Sequence, residues 1–166
     1  MKLKTARFGE IDVSQEDIIE FSEGLLGFDP FHRFVILNSS DNSPFRWLQS
    51  LDDGSLAFVI IEPLNFLFEY DLDISDADAT KLGLQKPEDV IIYVIVTIPE
   101  NIRDMTANLQ GPLIINALTR KGRQIISTNH AHSLKAGIVD EMARREARIR
   151  EVKGSLDSES KKGEKG

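Results

Sequence analysis

Every residue of the run Val90–Ile98 carries a β-branched side chain except Tyr93, and Pro99 closes the run. Such side chains are crowded at χ1 in a helix and sit well on a pleated surface, so the run predicts a strand. It lacks the alternation of a strand with one wet face, so both its faces must be covered. A chain built around it needs a sheet with apolar layers on either side. The rest of the first hundred residues supplies that sheet: apolar runs alternate with turn chemistry, and none holds a 3.6-residue period for long. Met1–Arg7 and Glu10–Val13 flank Phe8-Gly9 as a strand pair. Asp17–Phe21 fits a helical turn behind Ser14 and a strand equally. Arg33–Leu37 follows the glycine-bearing turn Gly24–Pro30, and Asn38–Pro44 reads as a polar loop. Phe45–Leu51 and Leu56–Ile61 read as a hairpin turned by Asp52-Asp53-Gly54.

Downstream, Ser75 starts a short polar helix that ends near Gly83, and Pro87 prevents its continuation. Thr106–Asn116 and Arg123–Ser127 read as further strands, with Lys121-Gly122 as the turn between them. Eight or nine strands at this spacing suit a barrel or a sandwich. From Ser133 the pattern changes: Leu134, Ile138, Met142, Ile149 and Val152 share a helical stripe, with carboxylates four residues before Arg144, Arg145 and Arg150. The first half of this helix is expected to dock and the more basic second half to project, or else to fold back on an acidic surface. The expected organisation is a β domain over 1–132, an amphipathic helix over 133–153, and a polar tail over 154–166 too poor in apolar residues to order itself.

Charge and composition narrow the function. Residues 1–100 hold 19 Asp and Glu against 7 Lys and Arg, and the remaining residues hold 8 against 13. The acidic body repels phosphate backbones and attracts cationic partners, which argues against direct nucleic-acid binding. An oligonucleotide-binding barrel would interleave its aromatics with Lys and Arg, whereas Phe66, Phe68 and Tyr70 lie among acids. There is no Cys, and no apolar stretch approaches the ~20 residues of a membrane span, so a soluble cytoplasmic protein without membrane attachment is the expectation. No phosphate loop, dinucleotide fingerprint, nucleophile elbow or zinc helix is present. His130-Ala131-His132 lacks further nearby ligands for a metal. Asp71–Leu82 has Asp76 and Leu82 where a calcium loop needs Gly and Glu. No catalytic residue, metal or cofactor is therefore assigned. The alternative is a small β-barrel enzyme or ligand-binding protein of unknown substrate. The strongest surface candidate is the run Leu64–Tyr70 after Pro63: Phe66, Phe68 and Tyr70 with Glu69, Asp71 and Asp73 resemble an apolar anchor with an acidic rim. Asn108 and Gln110, amides beside an apolar strand, either complete the sheet's hydrogen bonds or face a partner.

Several segments carry a resemblance. Phe8-Gly9, Ile19-Glu20-Phe21 with Gly24-Leu25-Leu26-Gly27-Phe28, Pro44-Phe45 with Leu48-Gln49-Ser50, Ala57-Phe58, the segment Thr106–Asn116, and Gly122 with Gln124 occur in an order and spacing similar to the flagellar assembly factor FliW family. The pattern spans about residues 3–128. Leu26 stands where that family usually has proline, and the chain beyond about residue 134 extends past the family's usual end. The resemblance implies a mainly β fold, a small antiparallel β-barrel-like domain, with no catalytic activity. It implies a cytoplasmic, chaperone-like factor of flagellum biogenesis and translation regulation. Its expected partners are the translational repressor CsrA, whose hold on flagellin messenger RNA it relieves, and flagellin itself, in a partner switch.

Overall fold

A computed structural model describes residues 1–39 and 42–164, with side chains to Leu156. Eleven strands and two α-helices follow in chain order: β1 (Lys2–Thr5), β2 (Gly9–Asp12), β3 (Ile18–Phe21), β4 (Arg33–Asn38), β5 (Arg46–Ser50), β6 (Ala57–Ile61), α1 (Asp76–Leu82), β7 (Val90–Thr97), β8 (Thr106–Ala107), β9 (Leu113–Asn116), β10 (Lys121–Gln124), β11 (Ala136–Gly137) and α2 (Ile138–Glu164). Strands β7-β6-β5-β4-β3-β10-β9 close into a seven-strand barrel through a β7–β9 pairing. All its ladders are antiparallel except β3–β10, which is parallel. The expected mainly β, barrel-like fold with a C-terminal helix is the fold observed. Closure leaves no free edge within the barrel, which removes the unpaired backbone groups of an open sheet.

The long strand β7 accounts for the layering. Its first half pairs with β9 and its second half with β6 and β8. Ile91, Tyr93 and Ile95 point into the interior core with Ile19, Phe21, Phe34, Leu48, Ile60, Leu113 and Ile115. On the opposite face, Val94 and Val96 join Phe66, Leu67, Leu109 and Ile138, while Val90 and Ile92 pack under α1 with Leu82 and Ile114. The strand is therefore apolar on both faces because both are covered, as its composition requires. The β1–β2 hairpin covers a third outer patch of Val13, Val35 and Leu51.

Local chemistry explains where the elements start and stop. The Gln49↔Ala57 register and the loop between β5 and β6 match the expected hairpin. Ser50 Oγ accepts from Asp52 N at 3.1 Å and Asp53 N at 3.0 Å, which fixes the turn. Ser75 Oγ caps α1 by accepting from Asp78 N, and Gly83 ends it, as the sequence indicates. The ambiguous segment resolves into both readings, a 3-10 turn over Gln15–Asp17 and then β3; the Ser14 side chain makes no cap.

Three boundaries differ from the expected ones. The single strand 106–116 is split into β8 and β9, because Asn108 Oδ1 accepts from Gln110 N and Gly111 N and folds the chain into a turn. Lys121-Gly122 is not a turn but the start of β10, which ends at Gln124. The reversal lies upstream, where Asn116 Oδ1 accepts from Leu118 N and Thr119 N while its Nδ2 donates to Leu82 O at 2.7 Å. Helix α2 begins at Ile138 and not at Ser133. Ser133 O accepts from Leu109 N, Ser133 Oγ accepts from Lys135 N, and Ala136-Gly137 pairs with β8, so these backbone groups are committed before the helix can start. The helical backbone then continues to Glu164. Residues 40 and 41 of the expected polar loop, and 165 and 166 of the expected tail, lie outside the described residues.

Candidate functional site

The run after Pro63 forms a single 3-10 turn over Pro63–Asn65 and then extends across the outer face of β7. Its side chains divide in adjacent pairs before an alternation sets in from Glu69. Phe66 and Leu67 enter the outer core, with Phe66 at 0% exposure, whereas Phe68 stands 43% exposed. Phe66 is thus a core residue and no part of a surface; the five large apolar side chains that suggested one patch divide between core and solvent. Glu69, Asp71 and Asp73 are exposed, while Leu72 and Ile74, each following one of these acids, pack toward α1. The acids form a rim because the intervening residues are anchored.

Tyr70 joins this run to the 108–110 turn. Its hydroxyl donates to Leu109 O at 2.6 Å, and its ring stacks on His132 with centroids 4.4 Å apart. Burial pushes the Tyr70 phenol well above its ordinary value, so it stays a donor. His132 shares a hydrogen bond with Ser127 Oγ through Nδ1. Burial lowers its basicity, against the opposing charge of Asp71. His132 is therefore a packed ring in the connection to α2, and His130, two residues before it, is exposed. Among the described residues no three His, Cys, Asp or Glu side chains gather as a metal-binding group. Nor is any helix among them long and apolar enough to cross a membrane.

A cleft of about 570 Å³ opens here, lined by Glu69, Tyr70, Asp71, His132, Lys135, Glu141 and Arg144 among others. A second groove, about 240 Å³, runs between Phe68-Glu69 and α2, where Glu141, Arg144, Arg145 and Arg148 face it. Arg148 places its guanidinium 5.5 Å from the Phe68 ring centroid. Phe68, Glu69, Tyr70 and Asp71 are thus brought together with α2. Asp73 sits farther along the rim. Asn108 is occupied in its own turn, and Gln110 accepts Ser127 N through its carbonyl. The sequence allows the basic half of α2 to fold back on an acidic surface but does not say which one, since nothing in the spacing of its arginines says where the helix lies; Arg144, Arg145 and Arg148 come to lie beside Phe68 and Glu69.

The glycine turn and the 106–116 segment, far apart in sequence, are tied by one side chain. Gln124 Oε1 accepts from Leu26 N at 2.8 Å and Gln124 Nε2 donates to Gly111 O at 2.9 Å. Leu26 uses an N–H that proline would lack. The profile of the FliW protein family matches residues 2–138, most of the chain. The chain belongs to the FliW family. A flagellar assembly factor FliW of Alkaliphilus metalliredigens is 42% identical over 143 residues, covering 86% of this chain and 88% of its own. That of Leptospira biflexa is 43% identical over 141 residues, covering 84% and 92%. A crystal structure of the flagellar assembly factor FliW superposes with a TM-score of 0.78 at 36% identity, covering 83% of this chain and 96% of that one. These FliW relatives are named for assembly and not for a reaction. The FliW profile ends at the first residue of α2, so nearly all of that helix lies beyond it.

Proposed function

We propose that this chain acts in the cytoplasm as a protein antagonist: it binds the RNA-binding repressor CsrA, lowers its hold on flagellin messenger RNA, and exchanges CsrA for flagellin as flagellin accumulates. Family membership supports the flagellar setting. The observation that carries the antagonist reading is the exposed Phe68 ring bordered by Glu69 and Asp71, with Asp73 farther along the rim, on a body with 19 acids against 7 bases in residues 1–100. A repressor that grips RNA must present cations, and a half-exposed aromatic beside carboxylates offers such a surface both contact area and charge complementarity. The same negative field keeps RNA away from the complex. One surface shared by two partners makes their occupancies compete by mass action.

Rim charges act mainly on encounter. Replacing Glu69, Asp71 and Asp73 together by Gln, Asn and Asn should slow association with CsrA by about tenfold at low salt and flatten its salt dependence, with the melting temperature little changed. Stopped-flow association over a salt series measures this. An unchanged rate at low salt would place the steering surface elsewhere.

A further inference from the structure

The arginines of α2 sit on the same surface that the proposed cationic partner needs. Ile138 is buried and Met142 packs against the outer core, which seats the first turns of the helix. One turn farther, Arg144, Arg145 and Arg148 line the groove with Phe68 and Glu69. Glu69, Glu141 and Arg144 also line the larger cleft, which continues to Asp71, so the two depressions form one trough along the helix. Arg148 lies over the Phe68 ring, in the kind of position a partner's cation would take. Beyond this point the helix leaves the body, and Val152 and Leu156 are exposed.

We propose that α2 is a cover in cis: its arginine row occupies the Phe68–Asp71 surface as a pseudo-ligand, so that the helix and a cationic partner exclude each other. This rests on the antagonist reading above. The hold is weak by construction, because Arg144 pairs within its own helix with Glu141 and Arg148 with Glu151, leaving the cation–π contact of Arg148 with Phe68 as the main attachment beyond Met142. Contacts of that size favour the closed arrangement by about 3–10-fold, and the partner's apparent affinity falls by the same factor. A cover of this strength weakens binding without abolishing it.

Calorimetric titration with purified CsrA at one salt concentration tests the cover on four proteins. These are the full chain, the chain stopped after Met142, the full chain with R144Q, R145Q and R148Q, and the full chain with R150Q and K153Q. The stop and the triple variant should each bind about 3–10-fold more tightly than the full chain, and their amides at 68–71 should exchange faster with solvent. The R150Q/K153Q pair removes charge from the same helix without touching the groove and should change neither quantity. Should the stop variant fail to fold, the triple variant decides, since Gln preserves helix propensity. Equal binding by all four would overturn the cover while leaving the partner reading intact. An equal gain in the R150Q/K153Q protein would show bulk charge at work instead. Weaker binding by the stop or triple variant would make α2 part of the partner's own contact surface. Absence of binding by any of the four would remove the antagonist reading and the cover with it.

Discussion

Replacing Phe66 by alanine should destabilise the protein by about 3–5 kcal/mol, the range for emptying a fully buried aromatic site. In a chain of 166 residues this corresponds to a fall in melting temperature of about 6–20 °C. Phe66 has 0% exposure and shares its core with Ile61, Leu67, Val94, Val96 and Ile138, so the vacated volume touches β6, β7 and the root of α2 at once. Phe68, two residues on, gives the opposite pattern. Phe68→Ala removes a half-exposed ring and one cation–π contact, and should cost about 1 kcal/mol of stability or less. Its effect should fall on partner binding instead. Urea unfolding of both variants, read beside binding, separates the roles. A stable Phe66→Ala protein that had lost binding would contradict the burial of this side chain.

The second large effect belongs to the turn between β3 and β4. Gly24 has φ +70°, and a Cβ there would stand 2.6 Å from the carbonyl oxygen of Asp29. Gly27 has φ +83° with open space where its Cβ would be. Alanine at either position must adopt a left-handed backbone, at about 1–2 kcal/mol. Only at Gly24 must it also displace main chain, adding about 1–3 kcal/mol. Gly24→Ala should therefore cost about 2–5 kcal/mol and Gly27→Ala no more than about half of that. The reason reaches beyond the turn: Leu25 enters the interior core with Phe28 packed beside it, and Leu26 N is the group held by Gln124. Shifting Asp29 would disturb the turn whose Leu26 N is bonded to Gln124 of β10. Thermal unfolding of the two variants side by side measures the difference, and equal costs would mean that strain alone governs the turn.

What the sequence made legible follows from which interactions are local. The strand β7, the β5–β6 hairpin and α1 with its Ser75 and Gly83 ends are each dictated within a few residues, and each formed where expected. The failures share a different cause. Lys121-Gly122 reads as a turn because Gly commonly marks one, but Gly122 is paired between Phe21 of β3 and Ile115 of β9, partners distant in sequence, and it is glycine because a Cβ there would meet the Phe21 ring at 2.6 Å. The helix start slipped because Ser133 and Gly137 are bound to Leu109 and β8. At the candidate site, the run 64–70 could be marked as apolar next to acids. Which of its aromatics were core depended on the path of the chain over β7, which period alone does not fix for so short an extended segment. Gln124 is one of the residues shared with the family whose structural purpose needs three dimensions, since it bonds to both of the family's distinctive segments.

The most direct measurement of the antagonist reading is a titration of this protein into a preformed complex of CsrA with a fluorescently labelled flagellin leader RNA. RNA should be released as protein is added, the Glu69/Asp71/Asp73 variant should require a higher concentration, and flagellin added afterwards should restore the repressor–RNA complex. RNA that stays bound at saturating protein, or direct binding of the RNA by this chain, would contradict it.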